Sequence, residues 1–318
     1  MKVTRISRAA AFAVLPVLCA GAAVLAQAPV PAPSLSPEAN WKLCDDKDPE
    51  ISIAGCSAVI QSKREKGRRL ATAHAQRGTA YLGLQDYDRA LQDFSDAINA
   101  DPTYAKAFAN RGAVYAAKQE FDSAMKDFDA VVKLEPKNPN AFYDRASMFR
   151  LTGEFDRAIQ DYTAALALNP SFVDALSNRG VALAGTKRCA EAIQDFTRVI
   201  ELNPKDPLAL VDRGVCQETL GHDDLALADF NAHLALDPRS FYGLERRAAL
   251  SFRAGNVDGA LADYSQAVLI NPNSARALYG RGVAKRMKGD VRGGDADIET
   301  AKALRPNVVD EMASQGVK

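Results

Sequence analysis

Charge of one sign is what this chain most plainly lacks. Lysine and arginine together number 40, and so do aspartate and glutamate. A chain with no basic excess has no electrostatic footprint for nucleic acid, so that class of partner is set aside. Histidine is scarce: His74 and His233 fall at periodic helical positions and are read as packing residues, and His222 sits in a turn. There is no Cys-x-x-Cys, no zinc-ligand spacing, no glycine-rich phosphate loop and no nucleophile elbow. The carboxylates recur at intervals instead of converging as an acid and base pair. The expectation is a protein that is not an enzyme, with no catalytic residue, no metal ligand and no cofactor. What is present is 318 residues, 47% of them apolar, enough to build a sizeable core.

Acidic residues are also missing from the first stretch, which has the form of a secretory signal. Lys2, Arg5 and Arg8 precede an apolar run from Ala9 to Leu25, and Val24-Leu25-Ala26 offers a small-residue cleavage site before Gln27. Removing that segment leaves a chain about three charges negative. The expectation is a signal peptide over 1–26 and export to a periplasmic or secreted location, with no membrane span afterwards. The alternative is an uncleaved anchor, which Pro16 and Gly21 disfavour. Cys19 follows Leu18, where a lipoprotein signal would want a small residue. Residues 27–36, rich in proline, read as a stiff extended linker.

Beyond the linker the dominant signal is a period of 34 residues. Prolines stand at Pro102, Pro136, Pro170, Pro204, Pro238, Pro272 and Pro306. A small residue recurs at Gly78, Gly112, Ala146, Gly180, Gly214, Ala248 and Gly282. Another small column, from Ala90 to Gly294, is followed four residues later by Phe94, Phe128, Tyr162, Phe196, Phe230, Tyr264 and Ile298. Within each unit apolar residues fall three and four apart in two stretches, as in Ala90, Leu91, Phe94, Ala97 and Ile98, which is the stripe of an amphipathic helix. A turn, often with glycine (Gly153, Gly221, Gly255, Gly289), separates the stretches, and an X-Pro pair ends the second. Each unit is therefore a helical hairpin that cannot bury its apolar face alone, so seven of them over 71–308 must stack. The columns of small residue, alanine, aromatic and proline resemble the tetratricopeptide repeat family. That resemblance implies an all-α fold, a right-handed α-solenoid with the first helix of each unit lining the concave side. Residues 37–70 read as a degenerate leading cap and 309–318 as a C-terminal tail.

Two charged columns run through all seven units. Counting residue 71 as position 1, position 7 is Arg77, Arg111, Arg145, Arg179, Arg213, Arg247 and Arg281. Position 23 is Asp93, Asp127, Asp161, Asp195, Asp229, Asp263 and Asp297. The family pattern usually has leucine at position 7, so the chain departs from it there. At about 100° per residue both positions lie to the same side of the hairpin interface and at equal height. The expectation is an Arg–Asp pair across each hairpin that fixes its register, contributing about 0–1 kcal/mol if partly exposed.

Four cysteines follow the signal. Ser36-Pro37-Glu38 and Asp48-Pro49-Glu50 start two short helices, and a Cys44–Cys56 disulfide between them would staple a weak cap; buried free thiols are the other possibility. Cys189 and Cys216 face the boundary of repeats four and five but differ in height by about one helical turn, a poor match to disulfide geometry.

The resemblance places positions 2, 5, 9, 12 and 13 on the concave surface. There the early repeats are small (Thr72, Ala75, Thr79, Ala109, Ala113), and Tyr143, Arg150, Tyr242, Phe252, Arg253, Arg276, Tyr279, Arg286 and Met287 follow. Arginine with aromatics is the composition of interface anchors, and equally of snorkelling surface residues. The lysines and asparagines with which family members clamp chaperone C-termini are absent from positions 5 and 9 of the first three units. The sequence supports a partner that is a protein or extended peptide, with a structural scaffold for envelope assembly or secretion, and more distantly an enzyme's accessory subunit, as alternatives. It leaves the oligomeric state open.

Overall fold

The computed structural model describes residues 35–318, which form seventeen α-helices and no strand. The expected signal peptide and all but the end of the linker lie outside the described residues. The cap consists of α1 (Pro37–Cys44) and α2 (Pro49–Gln61), each with proline in its first turn. The Ser36 hydroxyl accepts the Ala39 amide, and the Asp48 carboxylate accepts those of Glu50 and Ile51. These are the two N-caps that the serine and aspartate before proline announce. Cys44 and Cys56 are joined by a disulfide with Cα atoms 4.4 Å apart. Cys189 and Cys216 are free and buried.

Seven hairpins follow: α3 (Gly67–Gly83) with α4 (Tyr87–Ala100), α5 (Ala105–Ala117) with α6 (Phe121–Leu134), α7 (Pro139–Leu151) with α8 (Phe155–Leu168), and α9 (Val173–Gly185) with α10 (Cys189–Leu202). Then come α11 (Pro207–Thr219) with α12 (Asp223–Leu236), α13 (Phe241–Arg253) with α14 (Val257–Ile270), and α15 (Ala275–Met287) with α16 (Val291–Leu304). Helix α17 (Val308–Ser314) closes the chain, in the segment read from sequence as a tail. Each helix packs most closely on its neighbour in sequence, and successive first helices also touch, α3 with α5, α7 with α9, α9 with α11 and α13 with α15. No pair of successive second helices packs as closely among the described residues, so the first helices line the inside of the curve.

Position 15 turns every hairpin with a left-handed residue. Gly153, Gly221, Gly255 and Gly289 take φ of 82°, 78°, 78° and 92°, and Gln85, Gln119 and Lys187 hold the same turn at 60°, 61° and 64°. Position 8 is small because the aromatic of position 24 lies against its backbone. A Cβ on Gly180 would stand 2.7 Å from Cε1 of Phe196, and one on Gly78 2.8 Å from Cε1 of Phe94. The two alanines at position 8, Ala146 and Ala248, face the two tyrosines, Tyr162 and Tyr264. The seven bulky residues of position 24 are at most 7% exposed and form the spine of the core.

Candidate partner-binding site

The charged columns come together as side chains. In all seven hairpins the arginine Nε and Nη2 donate to the two oxygens of the aspartate sixteen residues on, at 2.6–2.9 Å. The aspartates are only 2–8% exposed, so these are not surface ion pairs, and the small contribution expected of exposed pairs does not apply. Each arginine of the first six repeats also reaches the preceding unit. Its Nη1 donates at 2.9–3.1 Å to Ser57, Ser95, Asp129, Thr163, Thr197 or Asn231. The column therefore locks stacking as well as hairpin register, a role that the angular argument within one hairpin missed. Ser57 serves Arg77 as Ser95 serves Arg111, which makes the cap a repeat in function.

His74 Nδ1 lies 2.9 Å from Asp93 Oδ1, and with Asp96 these side chains put three potential ligand atoms within 4.8 Å of one another. Both Asp93 oxygens already accept from Arg77, whose charge occupies the place of a cation. Burial would raise the Asp93 carboxyl, but the bonds from His74 and Arg77 outweigh it and hold it below the usual range. His233 Nδ1 donates to the Pro207 carbonyl oxygen (2.7 Å), and the ring is buried among packing residues.

A second ladder, which the sequence reading did not single out, runs along position 6 of the first helices. Gln76 donates to Asp45, Asn110 Nδ2 to Thr79 Oγ1 (3.3 Å), Asn178 Nδ2 to the Tyr143 hydroxyl (3.0 Å) and Arg246 Nη1 to Glu218 Oε2 (3.1 Å). Each is a donor reaching back to the first helix before it. Asp144 and Asp212 occupy the same rung in repeats three and five. They are half-buried acceptors only, and among the described residues no hydrogen bond or ion pair reaches either carboxylate. By the register of the Asn110–Thr79 rung, the first helix before Asp144 offers Ala109, Ala113 and Ala116. Burial pushes the Asp144 carboxyl up to about 6, and burial together with nearby Asp206, against the opposing pull of His233, pushes Asp212 to about 6. Around them the inner positions expose apolar area: Leu151, Val181 and Leu208 are 56%, 40% and 69% exposed. Tyr143 is half-buried, its ring centroid 4.9 Å from that of Phe172, and Arg150, two turns further along α7, is half-buried with its Nε lacking a hydrogen-bond partner among the described residues.

The expected anchors in repeats six and seven require correction. Tyr279 is 8% exposed, not open to a partner. Arg253 donates to Asp223 (2.9 and 3.1 Å), to Glu218 (3.1 Å) and to the main-chain oxygen of Gln315 (3.3 Å). Arg276 donates to the Gln315 side chain (2.9 Å) and lies 3.5 Å from Glu311. Phe252 packs on the same core cluster as Val308, Met312 and Val317. The physical reason is α17 and the residues after it, which fold back over these side chains. Tyr242 remains exposed under the Arg246 guanidinium, 5.1 Å from its ring centroid, and Arg286 remains exposed 3.4 Å from Asp295.

The stacked hairpins and their inner channel are the architecture of an interaction module, and comparison with known proteins agrees. Residues 76–141, 143–207 and 187–241 match the tetratricopeptide repeat family, and residues 250–289 match a second TPR repeat description. The chain belongs to the tetratricopeptide repeat family. No curated protein matches it. Among solved structures it is similar to a tetratricopeptide repeat protein from Parabacteroides merdae (22% identity, 78% of this chain and 99% of that one, TM-score 0.56). It is also similar to YrrB, described as a TPR protein with an unusual peptide-binding site (21%, 60% and 97%, 0.54). A third is PilW, described as a type IV pilus biogenesis factor (21%, 64% and 94%, 0.54). At these identities the likeness is one of fold. The fold is in general a non-catalytic scaffold for protein interaction, and no helix among the described residues is long and apolar enough to cross a membrane.

Proposed function

We propose that this chain is a non-catalytic binding module of the cell envelope whose inner channel over repeats three to five takes an extended, basic segment of another protein. The observation that carries the reading is the pair of unsatisfied rungs. Four other position-6 side chains and all seven Arg–Asp pairs find partners within the chain, and among the described residues Asp144 and Asp212 find none. Half-buried carboxylates that no side chain of the chain reaches are held above their ordinary range by burial, and such groups collect where a partner is to be met. The two rungs are two first-helix spacings apart, about 16–20 Å at the usual distance between packed helices. An extended chain spans that in about five or six residues. A segment with lysine or arginine at that interval would satisfy both carboxylates and cover Leu151, Val181 and Leu208 between them. YrrB, with its peptide-binding site, shares the fold that such a channel needs. The envelope location rests on the basic, apolar and small-residue order of residues 1–26.

Affinity capture from the envelope fraction with the wild-type chain and with an Asp144→Lys, Asp212→Lys double variant tests the reading. The partner should be lost from the double variant, and its binding to the wild type should weaken as pH falls through about 6, where both carboxyls take up protons. A partner held equally by both proteins would place the contact on the outer surface or the cap. That would favour a structural scaffold in envelope assembly or secretion. Amino-terminal sequencing of the protein from its host should begin at Gln27; an intact Met1 in the soluble cytosol would reject export.

A further inference from the structure

The channel over repeats six and seven is already filled by the chain's own C-terminal segment, and the way it is filled is that of a ligand. Capping the last hairpin needs only Val308 and Met312, which are 0% and 1% exposed against α15 and α16. The chain goes further. Gly316, at φ 80°, ends α17 with its amide donating to Ala313 and that of Val317 to Met312, both at 3.0 Å. This six-to-one and five-to-two pair is a Schellman closure, and it turns Val317 inward, where it is 0% exposed. The segment thereby passes α15 and meets α13 of repeat six. Arg253 donates to the Gln315 carbonyl, and a Cβ on Gly316 would lie 2.9 Å from the Arg253 side chain. Arg276 holds both the Gln315 amide oxygen and Glu311. At inner position 9, Thr79, Ala113 and Val181 are exposed, but Ala249 and Val283 are 3% and 7% exposed because the tail lies over them. Beside the tail a cavity of about 590 Å³, lined by Met287, Val291, Val309 and Lys318 among others, leaves the seat incompletely filled.

We propose that residues Val308–Lys318 are a displaceable cis occupant of a second binding seat over repeats six and seven. On release, the seat takes a partner segment of the same chemistry, a short helix with aliphatic side chains four apart, an acid between them, and a closing glycine followed by an aliphatic residue. The inference rests on the reading of the inner channel as a binding surface but concerns a different stretch of it. Two arginines read a main-chain carbonyl, an amide and a carboxylate, as a peptide receptor would. Because the tail is tethered, its effective concentration is on the order of millimolar, and a free segment must compete with it.

The probe is a fluorescent synthetic peptide of residues Asn307–Lys318, titrated by anisotropy against full-length proteins. Val317→Asp removes the buried anchor. Gly316→Ala, at an exposed left-handed position, loosens the closure and crowds the overlying Arg253 side chain without touching the core, and serves if the first variant fails to fold. The peptide should bind either variant at least about tenfold more tightly than the wild type, and adding Arg276→Glu should abolish that gain. Hydrogen exchange at residues 308–317 should rise in both variants. Equal binding to wild type and variants, no binding despite an opened tail, an unchanged tail exchange, or indifference to Arg276→Glu would each overturn the proposal. None of these results touches Asp144 or Asp212, so failure here leaves the test of the middle channel independent.

Discussion

Replacing Asp144 with asparagine should make the protein more stable at neutral pH, although it changes a side chain inside the candidate site. The carboxyl stands at about 6 against an ordinary value of 3.8, through burial alone. A displacement of about two pH units corresponds to about 3 kcal/mol as an upper bound, and residual solvent contact reduces it to about 1–2 kcal/mol. The sign follows from proton counting. Between 3.8 and about 6 the folded chain holds more protons on this group than the unfolded chain, so stability falls as pH rises through that window. Asparagine has no such dependence, and the fold accepts it at this rung, since Asn110 and Asn178 occupy position 6 of repeats two and four. Urea unfolding followed by circular dichroism at about pH 7.5 should give a higher midpoint for Asp144→Asn, and the difference should vanish near pH 4. Because stacked repeats need not unfold in one step, hydrogen exchange in α7 should report the same gain locally. A variant that is less stable at neutral pH, or a difference that persists at pH 4, would show that the carboxylate has a stabilising partner and would remove the basis for the proposed channel.

Truncating Arg179 to alanine should destabilise repeats four and three together, by about 3–5 kcal/mol, because Asp195 is left buried without its donor and Thr163 loses its bond; chemical denaturation with exchange mapped on α8 to α10 reads this out. Glycine in place of Gln119 or Lys187 should stabilise by about 0.5–1 kcal/mol each, roughly additively, since both hold left-handed turns that cost a side chain; thermal melts of the single and double variants check it. In denaturant without reductant, only two of the four cysteines after residue 19 should react with an alkylating agent, and reduction of the Cys44–Cys56 bridge should loosen α1 and α2 by up to about 3 kcal/mol while leaving the C-terminal repeats unchanged.

The hairpins were legible in the sequence because repetition multiplies weak signals. One glycine or aspartate carries little, but the same residue seven times at an interval of 34 fixes element, turn and register. The same regularity explains what was missed. Within the repeats the Nη1 bonds go to position 25, where the acceptors are serine, aspartate, threonine, threonine and asparagine, and a column that keeps only the ability to accept a hydrogen bond does not stand out by identity. The tail was missed because it breaks the period. Helix α17 starts where an eighth first helix would, but is seven residues long, and its closing Gly316 sends Val317 back across two repeats. Groove positions counted by register are exposed only if nothing non-periodic covers them, and in repeats six and seven something does.

The charge balance of the chain acquires meaning only once its internal pairs are removed. Seven arginines and seven aspartates cancel inside the hairpins, and in the last repeats Glu218, Asp223, Arg246, Arg253, Arg276 and Glu311 cancel across the inner face and the tail. On the inner face of repeats three to five, Asp144, Asp174 and Asp212 then stand against Arg150, so the middle of the channel is acidic on balance in a molecule that is neutral by count. If that is the recognition feature, placing a donor there should close it. Ala113→Lys, at position 9 of the helix facing Asp144, would supply a cation from within, as Thr79 supplies an acceptor to Asn110 one repeat earlier. It should raise stability by about 1 kcal/mol by satisfying the carboxylate, and weaken the basic partner about tenfold or more by competing for it. Opposite movement of stability and affinity, measured on the same protein by unfolding and by binding, is the signature of a carboxylate kept unpaired for a partner. A loss of affinity with no gain in stability would mean that the lysine merely obstructs the channel, and an unchanged affinity would mean that the partner does not lie over repeat three.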